Sequence, residues 1–258
     1  MERYKLFDPL LKVVQPLTYV DKEGQPIDSI YLQTPDGDVD LCDYLGQHPE
    51  IALLLAANHI SFPDPGFLLR LHSHLIDPHG QRNLFVPVSH WYYNLRNNPL
   101  YYGMIELGKY VYGYHEQPIV QSYMVNEAVS EITGKEYPPS VAKSLLRQLI
   151  TEVREWKETE YKTALVLPEG TRSKNRTMQK AEEGVRSFIK HWSPIVVLPC
   201  GITYVNDNGS RGPNLFQHPQ CIVGDPFLIE DGRGYQVDDL MFKIAALLPE
   251  DMRGYYGS

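Results

Sequence analysis

The sequence is short of positive charge, of paired cysteines and of long apolar runs, and each shortage argues against a class of function. Its 24 Lys and Arg stand against 32 Asp and Glu, a net charge of −8. Nucleic-acid binding draws most of its affinity from phosphate neutralisation by Lys and Arg, so this balance disfavours a general polyanion binder, and nucleic acid is not an expected partner. The three cysteines, Cys42, Cys200 and Cys221, are widely spaced and odd in number. They form neither a CxxC metal pattern nor a secreted disulfide framework, which fits a reducing compartment. No window approaches the roughly 20 apolar residues of a spanning helix; the run from Ile51 to Ala57 is seven residues long. The opening MERYKLFDPLLKVVQPLTYV is interrupted by Asp8, Pro9 and Pro16 and lacks the apolar core of a signal peptide, so it is expected to be retained. There is also no GxSxG elbow, which leaves a serine hydrolase without its usual signature.

What is present is material for a core, at 43% hydrophobic residues over 258 positions. Residues 1–50 read as an N-terminal region with a weakly amphipathic start. In it IDSIYLQ and DVDLCDYL flank TPDGD, whose Pro-Asp-Gly chemistry suits a hairpin turn. Beyond residue 50, short apolar runs alternate with longer helical patterns. This is the signature of an α/β fold, here a single domain with a largely parallel mixed sheet flanked by helices. Strands are predicted at 51–57, 83–88, 163–167, 194–199 and 220–224. Helices are predicted over Pro65–Ile76, with Asp64 as N-cap and Pro65 at the first helical position, and over Gln179–Trp192 and Asp238–Leu248. A further helix is predicted over 139–157, where Val141, Leu145, Leu149, Val153 and Trp156 share a face. The expected organisation is an N-terminal region over 1–50, a core over 51–230 and a C-terminal helix and tail over 231–258.

Two motifs carry chemistry. NHISFPD, Asn58 to Asp64, follows the buried strand 51–57, and the carboxyl ends of strands are where open α/β sheets bind ligands. His59 can take a proton near neutral pH, and a carboxylate on its second ring nitrogen would fix the tautomer and stabilise the imidazolium. Asp64 is placed to turn back for that task. The His-x4-Asp spacing alone is common, and a helix cap at Asp64 with a strand-end histidine at His59 would explain it equally well. LPEGTRS, Leu167 to Ser173, follows the strand TALVL. Gly170 permits a sharp exit, Thr171 and Ser173 supply hydroxyls, and Arg172 offers a permanently charged fork suited to phosphate. A fixed four-residue string such as EGTR arises in a chain of this length with a chance of about 0.003. Its pairing with the first motif in this order is therefore unlike coincidence.

Together the motifs resemble those of the glycerophosphate and lysophosphatidate acyltransferase superfamily, NHxSxxD and FPEGTRS. Asn58, His59, Ser61 and Asp64 match the first; Pro168, Glu169, Gly170, Thr171, Arg172 and Ser173 match the second. VVLPCGI and IVGDPF resemble two weaker family blocks, so the likeness covers about residues 50–230. The resemblance implies an O-acyltransferase with His59 as general base and Asp64 as its orienting carboxylate. It also implies a substrate-binding set of Asn58, Ser61, Glu169, Gly170, Thr171, Arg172 and Ser173. Arg172 would hold the acceptor's phosphate, and Glu169 would position the acceptor or brace its loop. The donor would be acyl-CoA or acyl-carrier protein, with no cofactor and no metal. The acceptor would be a lipid precursor, 1-acyl-glycerol 3-phosphate first, reached from a peripheral site on the cytoplasmic membrane face. The sequence departs from the family between the motifs. Where a Gly-x-x-Phe-x-x-Arg block is usual, LGKYVYGYHEQ (Leu107 to Gln117) has no arginine, with Lys109 and His115 as substitutes. This leaves open glycerol 3-phosphate, a lysophospholipid, a glycolipid or an aminolipid as acceptor, or a non-catalytic lipid-binding protein.

Three further features have two readings each. The segment Trp91–Tyr114, with seven of the 18 tyrosines, suits either core packing or a lipid boundary. His72, His74 and His79 read as helix-surface and loop residues rather than as metal ligands. Arg172, Lys174, Arg176 and Lys180 form a cationic cluster in which solvation accounts for all but Arg172.

Overall fold

The computed structural model describes residues 17–61, 63–90, 99–120, 139–173, 175–205 and 218–257. The chain is α/β, a mostly parallel mixed sheet flanked by helices. The central strand, Ala52–Ala57, is buried on both faces without a break. This explains its continuous apolar run, because a strand covered by helices on both sides has no polar face to alternate with. Leu53, Leu55 and Ala57 enter one core layer, and Ala52, Leu54 and Ala56 enter the other.

In chain order the strands are β1 (Thr18–Val20), β2 (Tyr31–Thr34), β3 (Gly37–Asp40), β4 (Ala52–Ala57), β5 (Asn83–Ser89), β6 (His115–Ile119), β7 (Lys162–Val166), β8 (Ile195–Val205), β9 (His218–Val223) and β10 (Phe227–Ile229). The helices are α1 (Leu41–Gln47), α2 (Asp64–Leu71), α3 (Pro99–Tyr112), α4 (Pro139–Glu155), α5 (Gly184–Trp192) and α6 (Val237–Ala246). The main sheet runs β1-β9-β8-β4-β7-β5-β6, with β10 paired to β8 beside the end of β9. Strands β8, β4, β7, β5 and β6 are mutually parallel, and β9 and β10 run antiparallel to β8. β2 and β3 form the predicted hairpin apart from the main sheet.

Connectivity sets the position of the site. From β4 the chain passes through α2, on the first core layer, to β5; from β7 it passes through α5, on the second layer, to β8. Adjacent strands whose connections leave in opposite directions open a crevice at their carboxyl ends, which is where such sheets take ligands. Both sequence motifs sit there, NHISFPD after β4 and LPEGTRS after β7.

Several local expectations change. LCDYL is helix rather than strand, because the Asp40 side chain accepts from the backbone N–H of Cys42 and Asp43 and caps α1. The predicted helix from Gln179 begins only at Gly184. The amides ahead of it are taken by non-helical acceptors: Gln179 by the Glu169 carboxylate, Ala181 by the Tyr256 hydroxyl and Glu182 by the Pro168 carbonyl. β8 runs six residues past the proline where its end was expected. Pro199 is accommodated because its side of the strand faces the break between β10 and β9, where its carbonyl accepts from Gly224. α4 buries Leu149 and Val153, whereas Val141 at its start is exposed. His72 is buried rather than on the surface; burial and the neighbouring Arg82 push its imidazole down to about 3. In the tyrosine-rich segment, residues 91–98 lie outside the described residues. Of the rest, Tyr114 is buried with its hydroxyl on the Ile105 carbonyl, and Tyr110 is exposed. No helix among the described residues is long and apolar enough to cross a membrane.

Candidate active site

β4 ends at Ala57, and the next residue continues its pairing by side chain. The Asn58 amide donates to the Ile202 carbonyl at 3.1 Å and accepts from the Ile202 N–H at 2.7 Å, tying the motif to β8 one rung past the last backbone pair. Both ends of the amide are occupied and the residue is buried, so its geometry serves the backbone rather than a substrate contact.

The turn that follows brings His59 and Asp64 together. His59 Nδ1 and Asp64 Oδ2 are 3.0 Å apart. The same oxygen accepts from the backbone N–H of Ile60 at 2.6 Å and of Ser61 at 2.7 Å. Asp64 was expected to cap its helix, but its side chain makes no cap bond there and turns back onto the amides of Ile60 and Ser61 instead. The other oxygen, Oδ1, accepts from the Tyr204 hydroxyl at 2.7 Å. Every partner is a donor, the arrangement that satisfies an ionised carboxylate. With Nδ1–H directed at Asp64, the imidazole holds its lone pair on Nε2. The His59 side chain is 13% exposed while Asp64 is fully buried, so the pair is reached from outside through the histidine ring.

The second motif is latched onto the first by register. β4 and β7 are aligned at Ala56 and Val166, so His59 and Glu169, three residues later on each chain, stand side by side. Glu169 Oε1 accepts from the His59 N–H at 2.9 Å and Oε2 from the Gln179 N–H at 2.7 Å. Burial pushes this carboxyl up to about 7 against the opposing pull of those two donors, with Asp64 adding to the rise. Of the two roles open to Glu169, the geometry provides bracing, since both oxygens hold backbone. The Ser173 N–H donates to the His59 carbonyl at 2.8 Å, a second tie between the loops. The Ser173 hydroxyl is buried and bonded to Asn175 at 3.0 Å. Gly170 takes φ 68, where a side chain is disfavoured, and its N–H closes the turn onto the Leu167 carbonyl. The Thr171 carbonyl accepts from Gln179 Nε2 at 3.3 Å. Arg172 is half-buried, and no partner among the described residues occupies its guanidinium.

Two neighbours of the pair went unforeseen. Tyr204 sits on β8 beyond Pro199, on the same strand face as Val196, Leu198, Cys200 and Ile202, which pack toward α2. Extending that alternation past the proline was the signal that would have found it. Arg176, expected to be solvated, is half-buried within electrostatic reach of Asp64 and Tyr204. Lys174 lies outside the described residues, and Lys180 is exposed.

The proposed stand-ins for the missing arginine are held elsewhere. Lys109 pairs with Glu116 at 2.9 Å, and His115 approaches Glu152 at 3.4 Å. In register His115 is level with Leu54 of β4, well short of the motif, because β6 begins there. A cavity of about 280 Å³ lined by Cys42, Asp77, Arg82 and Tyr161 opens at the opposite end of the sheet, where Arg82 binds the carbonyls of Ile51 and Lys162. Among the described residues no group of three His, Cys, Asp or Glu is arranged to hold a metal. The chain matches no family model and no curated protein.

Proposed function

We propose that the chain is an O-acyltransferase that moves a fatty acyl group from acyl-CoA or acyl-carrier protein to a hydroxyl of a glycerophospholipid precursor. The observation that carries this reading is the 3.0 Å contact of His59 Nδ1 with a buried Asp64, which leaves Nε2 to act as the base at the carboxyl ends of β4 and β7; Arg172, in the loop that Ser173 ties to His59, has no partner among the described residues. In this reading Nε2 removes the proton of the acceptor hydroxyl as its oxygen attacks the thioester carbonyl, and Asp64 stabilises the imidazolium that forms. The tetrahedral intermediate then collapses, the C–S bond breaks and the thiol leaves with the proton. Arg172 would receive the acceptor's phosphate as a bidentate fork. Asn58 and Glu169 support the two loops from behind, and neither touches the reactants.

The acceptor proposed first is 1-acyl-glycerol 3-phosphate. A different hydroxyl lipid, such as a lysophospholipid or a glycolipid, is favoured by one observation: Lys109 and His115 already have acidic partners and stand away from the motif. The enzyme would work peripherally on the cytoplasmic membrane face, where the acceptor resides. Lipid mass spectrometry after incubation with a defined acyl donor and a panel of acceptors tests the reading and identifies the acceptor. His59→Ala is expected to lower transfer by about 10²–10⁴-fold, the usual contribution of a general base. Lipid bound to the purified protein with no transfer to any acceptor would point to a non-catalytic lipid-binding protein instead.

A further inference from the structure

Among the described residues Asp64 has four hydrogen-bond partners, of which His59 is one. The Tyr204 hydroxyl reaches Oδ1 at 2.7 Å, on the oxygen that His59 does not use. The tyrosine ring packs against Phe67 of α2, centroids 6.2 Å apart, and its oxygen is hydrogen-bonded by Ser61. Arg176, from the loop after β7, brings a positive charge near both Asp64 and Tyr204. A buried carboxylate whose charge fell on the imidazole alone would hold the imidazolium strongly and keep the base protonated at neutral pH. Donors to the far side of the carboxylate spread its charge and weaken that hold.

We propose that Tyr204 is a positioning residue of the His59–Asp64 pair: its hydroxyl anchors Asp64 and, with Arg176, disperses the carboxylate charge, setting the pH above which His59 can accept a proton. The inference deepens the acyl-transfer reading and rests on it for its use, but its principal test does not require turnover. Burial and the Asp64 charge push the Tyr204 hydroxyl far above the ordinary phenol range, so it remains a donor throughout the working pH range. The titratable and charged groups around the pair are Asp64 from α2 on the His59 ring, Glu169 from the loop after β7 on the His59 backbone, and Tyr204 from β8 and Arg176 from the loop after β7 on the far side of Asp64. Of these, Glu169 is pushed up to about 7 and is bonded to the His59 backbone, so its own titration must be fitted separately in the same data.

The experiment is an NMR titration of the His59 imidazole in the full chain without substrate, with His59→Gln assigning its resonance. Tyr204→Phe and Arg176→Gln are each expected to raise the His59 midpoint by about 0.5–1 pH unit. The acid limb of the kcat/KM profile should move by the same amount, with KM for the acyl donor little changed. A purely structural Tyr204 would lower thermal stability and leave the midpoint where it is. Midpoints unchanged in both folded variants overturn the proposal. Should Tyr204→Phe not fold, Ser61→Ala weakens the tyrosine as a donor and must raise the midpoint in the same direction; no movement there is equally fatal. A raised midpoint in a chain that transfers no acyl group would sink the functional reading alone. An active enzyme with an unmoved midpoint would sink the proposal alone.

Discussion

The two backbone groups of Ile202 depend on one side chain, the buried amide of Asn58. Asn58→Ala leaves an N–H and a C=O without their partner, which we expect to cost about 2–4 kcal/mol in urea unfolding. Glu169 makes a different prediction, one of pH. Its carboxyl rises from an ordinary 4.5 up to about 7 on folding. Between those values the folded chain keeps a proton that the unfolded chain releases, so its contribution is complete below pH 4.5 and is lost as pH rises through 7. The amount is on the order of 3 kcal/mol. Glu169→Gln removes the titration but turns an amide N–H₂ toward one of the two backbone donors. The variant is therefore expected to be less stable than the parent at pH 5, with the gap closing toward pH 8 in thermal melts across that range. At this scale the sequence marked out, by residue type and motif, the His59 and Asp64 that the fold sets 3.0 Å apart. It did not disclose that Asn58 and Glu169 bind backbone, because their partners Ile202 and Gln179 are chosen by register and by a loop with no periodicity.

The loop carrying LPEGTRS is supported by the C-terminal turns, an association no local pattern announces. The Met178 N–H donates to the Met252 carbonyl at 2.9 Å, and the Tyr255 N–H returns to the Met178 carbonyl at 3.0 Å. The Tyr256 hydroxyl accepts from the Ala181 N–H and donates to Asp238 at the start of α6. Gly254 allows this approach: it has φ 49, and a Cβ there would stand 2.4 Å from the Met178 carbonyl oxygen. Gly254→Ala should displace the loop from His59, costing about 1–3 kcal/mol for the strained backbone. Limited proteolysis is expected to cut it faster between residues 170 and 183, with transfer reduced in parallel. Gly254→Ala that matches the parent in both measurements would show that the turns and the loop are independent. Strong elements were legible: β4, β7 and α4 stand within two or three residues of their predicted bounds, because burial or periodicity marks them. Short edge strands such as β6 and β10 were not, since their pairing depends on neighbours far along the chain.

Across the whole molecule the decisive feature is strand order. The insertion of β7 between β4 and β5 makes neighbours of two motifs about 110 residues apart. Alternating strands and helices implied a parallel sheet but not which strands would be adjacent, and adjacency is what turns two motifs into one crevice. The result is a site whose loop amides point inward. Those of His59, Ile60, Ser61, Ser173 and Gln179 each donate to an internal acceptor. Surface loops ordinarily exchange their amide hydrogens within the fraying range of stability, whereas these should exchange as slowly as the strands they follow. The entropy of ordering the His59–Asp64 geometry is then met during folding, and in the proposed reaction none of it would fall at turnover. If the proposed acyl transfer holds, deuterium uptake at these five amides should be the same with and without acyl donor bound.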